Sequence, residues 1–227
     1  MRHEAPRPAA IERVAACYRD TGRVYSAYVR AKLRIDPVHA AAMELVPPRG
    51  HIVDLGCGSG QLALLLAWSQ PGRSVTALDR DWKRVERARR AAVKAGAEAQ
   101  VRFLISDVRT APVPSCRAAL LIDVLHSLAP HEQDDLLRRA ARALEPGGVM
   151  LVREVDKGVR PRWRFALVAL EEWLATKLGW SQGGAGLFFR RADELRSVME
   201  GEGLLTEVRP MWGRTPYANV LVIGRRA

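Results

Sequence analysis

Hydrophobic and polar positions along this chain switch between two periods, and each switch predicts an element. Apolar residues recur at helical spacing over 11–46, with Pro37 opening a new helix that carries Val38, Ala41, Met43 and Leu45. Pro47-Pro48-Arg49-Gly50 then breaks the helix ahead of a short apolar run at 52–55. Four further runs of that kind, at 75–78, 101–105, 118–122 and 149–155, predict strands. Helical patterns are predicted at 61–68, 81–94 and 131–144, the last stopped by Glu145-Pro146-Gly147-Gly148. Strands alternating with helices of this length predict an α/β, doubly wound, mostly parallel sheet.

The alternation stops after residue 155. Residues 163–178 have an apolar face wide enough for a helix buried on two sides, and Ser181-Gln182-Gly183-Gly184-Ala185-Gly186 predicts a flexible linker. A helix at 192–200 has Asp193 and Glu194 near its N-terminal end. The last two runs, 204–208 and 217–223, have no helix between them and predict an antiparallel C-terminal hairpin, making the sheet seven-stranded. The expected organisation is an N-terminal helical cap over 1–48 and a main domain over 49–227, with a helical insertion at about 158–190.

Composition narrows the partners. No apolar run reaches the roughly 18 residues of a membrane helix, and no apolar signal core follows the polar N-terminus, so a cytoplasmic protein is expected. Cys17, Cys57 and Cys116 lie far apart without metal-ligand spacing, which predicts small buried hydrophobes and no metal. The net charge is +11, yet only five of 36 basic residues are lysines, a bias that points to codon usage as much as to a polyanion. Arg80, Lys83, Arg87, Arg90 and Lys94 share one helical face, read as solvated rather than as a nucleic-acid footprint.

The chemistry concentrates in Ile52-Val53-Asp54-Leu55-Gly56-Cys57-Gly58-Ser59-Gly60. Glycines at alternate positions let a strand turn sharply into a helix and let a ligand approach bare backbone. A dinucleotide fingerprint spaces its glycines G-x-G-x-x-G, whereas Gln61 stands at the last of those positions here. Asp54 disfavours a pyrophosphate and suits a ligand bearing an ammonium group. The alternative is a tight turn with no ligand. The segment resembles the first motif of the class I S-adenosylmethionine-dependent methyltransferases, and the resemblance extends over roughly residues 25–225.

That resemblance implies S-adenosyl-L-methionine as cofactor, held by Asp54, Gly56, Cys57, Gly58 and Gly60. It implies that Asp79, at the tip of the second strand, accepts the ribose hydroxyls, since a carboxylate offers two acceptor oxygens to a vicinal diol. Arg80 would pack on the adenine, Asp107 and Val108 would meet its edge, and Asp123 would complete the cofactor set. For Asp107 a turn or helix-cap role is the competing expectation. Asp123-Val124-Leu125-His126 is similar to the fourth motif of small-molecule methyltransferases, and neither the Asn/Asp-Pro-Pro-aromatic motif of base-amino enzymes nor a Pro-Cys pair is present. Arg117 replaces the acid with which many relatives begin this strand, at its far end.

If the acceptor is a hydroxyl, His126 is placed to take its proton; shaping the pocket or capping the next helix is the equal alternative. Tyr28 and Lys32 share a helical face and are candidates for substrate or for the cofactor's methionine carboxylate. Trp163, Trp212 and Tyr217 are candidate acceptor-pocket residues, among aromatics that also include Phe188 and Phe189. The resemblance therefore implies methyl transfer to a small or carrier-bound apolar or aromatic acceptor, at oxygen, with an acidic carrier protein as a possible partner and nucleic acid disfavoured. An RNA methyltransferase and a non-catalytic binding subunit are the alternatives. Residues 190–195 and 215–220 carry a fainter likeness to methyltransferases of bacterial aryl-polyene or pigment pathways.

Overall fold

The computed structural model describes residues 8–159, 187–212 and 218–227. Seven strands form one sheet: β1 (Arg49–Leu55), β2 (Gly72–Asp79), β3 (Val101–Ile105), β4 (Cys116–Ile122), β5 (Leu144–Val155), β6 (Leu205–Pro210) and β7 (Asn219–Arg225), in the order β3-β2-β1-β4-β5-β7-β6. The pairs from β3 across to β5 are parallel, and β7 runs antiparallel to both β5 and β6. The chain winds outward from β1 to β3, then crosses back to lay β4 against β1. Connections therefore diverge between β1 and β4, the place where α/β sheets leave a crevice at their carboxyl ends.

Period-two alternation sorts the strand side chains onto two cores. Ile52, Val75, Ala77, Leu120, Leu151 and Ile223 face one side, under α1 (Pro8–Ala16), α2 (Arg23–Ile35), α3 (Pro37–Leu45), α4 (Gln61–Ser69) and α5 (Trp82–Ala95). Val53, Leu55, Ala119, Leu121, Met150 and Val222 face the other, under α6 (Pro130–Arg142) and α7 (Ala192–Gly201). Helix α4 is apolar on every face because it is covered on every face: Leu62 through Ala67 are all buried, between the sheet, α1, α3 and α5. Each predicted strand in the described residues is present, with ends shifted by a few residues. The predicted helix over 163–178 and the linker after it lie outside the described residues.

Local chemistry sets the helix ends. Asp36 caps α3 through Val38 N–H, with Pro37 in its first turn. Asp81 accepts from Lys83 N–H and Arg84 N–H at the start of α5, and Gly96, at φ 63°, ends it in the left-handed region. On the basic face of α5, Arg80, Lys83, Arg90 and Lys94 are exposed, in line with a solvated face, and Arg87 is half-buried. Arg87 donates to Ser59 Oγ at 3.0 Å and lies over the Tyr25 ring, and Lys94 pairs with Asp20. The N-terminal segment thus meets that face at Arg87 and Lys94.

Arg73, at the start of β2, is buried and ties three elements together. Its guanidinium donates to the Pro47, Val46 and Leu66 carbonyls and to Ser69 Oγ, so it satisfies the ends of α3 and α4 at once. All four partners are neutral, and burial lowers its pKa to about 10. Arg73→Met should leave those buried carbonyls unpaired and lower unfolding free energy by about 2–4 kcal/mol, read as a shift of the urea midpoint at unchanged slope. An unmoved midpoint would show the carbonyls satisfied in another way.

Candidate active site

The turn out of β1 is built around crowding. Gly56 N–H and Cys57 N–H both donate to the Leu78 carbonyl, at 2.8 and 2.9 Å, so the loop crosses the tip of β2. A side chain on Gly56 would meet Val124 Cγ2 at 2.5 Å, and one on Gly60 would meet the Phe103 ring at 2.6 Å. Both glycines sit at positive φ, so each is demanded twice over. Gly58, also at positive φ, has open space where its Cβ would be. The first and third glycines pack the fold; the middle one offers bare backbone.

Asp79 ends β2 beneath this loop. One carboxylate oxygen accepts from Gly58 N–H at 2.9 Å and the other from Asp81 N–H at 2.8 Å. Each keeps further acceptor capacity, which is what a vicinal diol needs. Asp54 is buried at 2% exposure and has no hydrogen-bond partner among the described residues. Burial first, and the Asp79 charge second, raise its pKa to about 7. An unpaired carboxylate beside a second one suits a cationic ligand and opposes a pyrophosphate. These residues fit a sulfonium cofactor carrying an ammonium group and a ribose diol.

Arg80 is exposed, and its charge acts on Asp107, so the two residues expected around the adenine lie near each other. The Asp107 carboxylate is already engaged, both oxygens meeting the Arg109 guanidinium and one also accepting Arg109 N–H. That hydrogen bonding is foremost in holding its pKa down. The competing expectation of a turn residue describes these contacts. Val108 is buried in the core beside it. Cys57 is half-buried, and burial drives its pKa well up, which leaves the thiol protonated and inert; Cys17 and Cys116 are buried as expected.

At the tip of β4 the chain turns through Asp123, at φ 56°, into a 3-10 turn, Leu125–Ser127. His126 Nδ1 lies 2.8 Å from Glu154 Oε2. The other Glu154 oxygen accepts from Leu125 N–H at 2.6 Å and His126 N–H at 3.4 Å. A carboxylate that accepts two amides is acceptor-only, so Nδ1 donates to it and Nε2 is the acceptor nitrogen of the ring. Phe189 stacks on the imidazole with ring centroids 5.3 Å apart. It is held there by Phe188 N–H on the His126 carbonyl and by buried Gln133, which donates to both the Leu128 and Phe188 carbonyls.

Glu154 did not emerge from the sequence, although it is the partner that orients His126. The signal was the register of β4 against β5, which puts Ile122 opposite Arg153. Asp123 does not present an open carboxylate: it pairs with Arg153 at 2.7 Å. Tyr28 is exposed, and Lys32 lies near Tyr28, Asp123 and Arg153 in one charged cluster. Trp212 is half-buried just past β6, while Trp163 and Tyr217 lie outside the described residues. Among the described residues no cluster of His, Cys, Asp and Glu could hold a metal, and no helix is long and apolar enough to cross a membrane.

Residues 52–148 match the methyltransferase domain family. That span runs from β1 to the start of β5's pairing with β4, and it is a methyltransferase domain of the class I, S-adenosylmethionine-dependent kind. The chain is 42% identical over 119 residues to acetylserotonin O-methyltransferase from Mus musculus molossinus, a match covering 50% of this chain and 30% of that one. It is 28% identical over 122 residues to carboxy-S-adenosyl-L-methionine synthase from Actinobacillus succinogenes, covering 53% and 51%. The chain thus matches about a third to about half of the length of these relatives. An O-methyltransferase family protein from Burkholderia thailandensis shares the fold with a TM-score of 0.71 at 20% identity, over 98% of this chain and 68% of that one.

The electrostatics of Asp54 are measurable without a substrate. Its folded pKa is raised above the usual carboxylate value, so the stability it contributes is complete below about pH 4 and is lost as pH rises through about 7. Asp54→Asn should therefore be more stable than wild type near pH 8, by an amount on the order of 2–4 kcal/mol, and should lose that advantage near pH 4. Thermal unfolding at the two pH values decides it; parallel pH profiles for the two proteins would show Asp54 solvated.

Proposed function

We propose that this chain transfers a methyl group from S-adenosylmethionine to a hydroxyl of a small apolar or aromatic acceptor, free or carrier-bound. The observation that carries the reading is the Glu154–His126 pair at the tip of β4, beside the glycine turn of β1. When bound, the cofactor supplies an electrophilic methyl group, and transfer is an in-line displacement that depends on alignment. Asp79, held in place by Gly58 N–H, would accept the ribose hydroxyls, and Asp54 would meet the ammonium. His126 would take the acceptor's hydroxyl proton as the O–CH₃ bond forms and the S–CH₃ bond breaks, with S-adenosylhomocysteine as the neutral leaving group, while Glu154 stabilises the resulting imidazolium. Phe189, stacked on His126, offers an aromatic wall to the acceptor. The likeness to an acetylserotonin O-methyltransferase supports oxygen as the methylated atom, and an acidic carrier would suit the net charge of +11.

Two measurements test this. S-adenosylhomocysteine should bind with a Kd in the micromolar range or tighter, and Asp79→Ala should weaken it by about 1.5–3 kcal/mol, the scale of hydrogen bonds to a charged group. Calorimetry that detects NAD but not this ligand would sink the cofactor assignment.

The base is tested separately, with labelled S-adenosylmethionine and a panel of aromatic hydroxy acceptors. His126→Ala should lower turnover by about 10²–10⁴-fold with cofactor affinity nearly unchanged. The wild-type rate should rise with pH as the imidazole loses its proton, and the variant should lose that limb. Glu154→Gln should lower turnover in the same direction, because a neutral amide cannot stabilise the imidazolium. Near-normal turnover in both variants would leave His126 a packing residue and catalysis to proximity alone.

A further inference from the structure

Arg153 and Glu154 are neighbours on β5 whose side chains serve opposite faces of the sheet. Glu154 reaches the His126 turn on one face. On the other, Arg153 Nη1 donates to Asp123 Oδ2 at 2.7 Å and to Asp36 Oδ2 at 2.9 Å. Arg153 and Asp36 side chains are 6% and 9% exposed, and the three residues come from β5, the β4 tip and the N-cap of α3. The Asp123 amide also donates to the Arg153 carbonyl at 3.0 Å. The tip of β5 therefore grips the turn after β4 from both faces.

Asp123 is the only non-glycine residue at positive φ among those described. A residue other than glycine holds that conformation at a cost of about 1 kcal/mol or more, and persists in it where its surroundings over-determine it. The consequence is local and specific. Turning left at Asp123 presses Val124 onto Gly56 and brings the Leu125 and His126 amides onto Glu154.

A buried ion triad is a weak means of stabilisation, since desolvation offsets most of the attraction. Its carboxylates outnumber its one guanidinium, and the nearby Lys32 ammonium balances the charge. His39, buried against Asp36, has its pKa lowered to about 4 by burial and adds no charge at neutral pH. The cluster is neutral as a whole and built around one backbone turn.

We propose that Asp36 and Arg153 are positioning residues that act through Asp123 to set His126. Asp36 belongs to the N-terminal helices, so the placement of the base depends on those helices being seated. This rests on the methyl-transfer reading for its kinetic arm only.

Asp36→Asn is the informative variant, because asparagine still caps α3 while the ion pair loses its charge. Arg153→Met removes the bridge, and Arg153→Lys should restore part of the effect. The His126 Cε1–H NMR resonance, assigned by its loss in His126→Ala, should move in Asp36→Asn and Arg153→Met. His51, bonded to Ser115 and Thr76 at the opposite end of β1, should stay in place. Turnover should fall roughly 10–100-fold, the effect of misplacing a reacting group by about an ångström, at cofactor affinity close to wild type. An unmoved His126 resonance with only a lower unfolding temperature would reduce the triad to a stabilising contact and overturn the proposal. Loss of cofactor affinity in step with turnover would overturn it too, by moving the triad's role to the cofactor. If the wild type transfers no methyl group, the functional reading fails, and the resonance still decides the positioning.

Discussion

Gly56 N–H and Cys57 N–H converge on a single carbonyl, that of Leu78, and this crossing of one strand tip over another is the constraint around which the site is arranged. It forces positive φ at Gly56 and Gly60, and it brings the loop so close to Val124 and Phe103 that no Cβ fits. With the loop pinned to β2, Gly58 N–H meets Asp79, and Ser59 is turned toward the N-terminal helices. Tyr18 then donates to the Ser59 carbonyl at 2.7 Å and Tyr25 to its hydroxyl at 2.9 Å. A tight backbone turn thus determines where the covering helices can land.

Those helices are fastened by polar contacts at several places, two of them beside the crevice. The tyrosines and Arg87 hold them to the glycine loop, and Asp36 holds them to Arg153 and Asp123 at the β4 tip. Both of these anchor points are at the carboxyl end of the sheet, where the crevice lies, while Arg73 at the start of β2 holds the end of α3 from the other end. Apolar packing of α1 to α3 against α4 supplies the bulk of the attachment, but apolar contacts are non-directional. Direction comes from hydrogen bonds and ion pairs. In this molecule they are concentrated where a shift of one ångström matters to chemistry.

What could be read from the sequence follows from how local each signal is. The strand-to-helix turn was legible because its glycines and Asp54 lie within a few residues of one another, and steric demand there leaves few alternatives. Asp79 and His126 were legible as positions at strand tips, because alternation locates the strands. Glu154 was not, because its meaning depends on the β4–β5 register, a non-local pairing. Arg153 and Asp36 lie 117 positions apart, and nothing in either neighbourhood announces the other. On α5, periodicity identified the exposed basic face, while the contacts of Arg87 with Tyr25 and Ser59 and of Lys94 with Asp20 depend on distant parts of the chain. Asp107 was read for a ligand, whereas its nearest partner, Arg109, sits two residues away, a local Asx-type contact.

The acids around the crevice differ in a way that sorts their roles. Asp123 is matched by Arg153, Asp107 by Arg109, and Glu154 by two amides and an imidazole. Asp79 is held by two amides. Asp54 alone in this set has no hydrogen-bond partner among the described residues, and burial first and the Asp79 charge second raise its pKa to about 7. Near neutrality it is poised between a neutral acid, which burial favours, and a carboxylate, which an arriving cation would favour. Approach of an ammonium group shifts that balance by Coulomb attraction in a low-dielectric setting. In the proposed site the proton would leave as the ammonium arrives, so that the carboxylate charge would develop against a ligand, while the paired acids around it keep their partners and hold the backbone still.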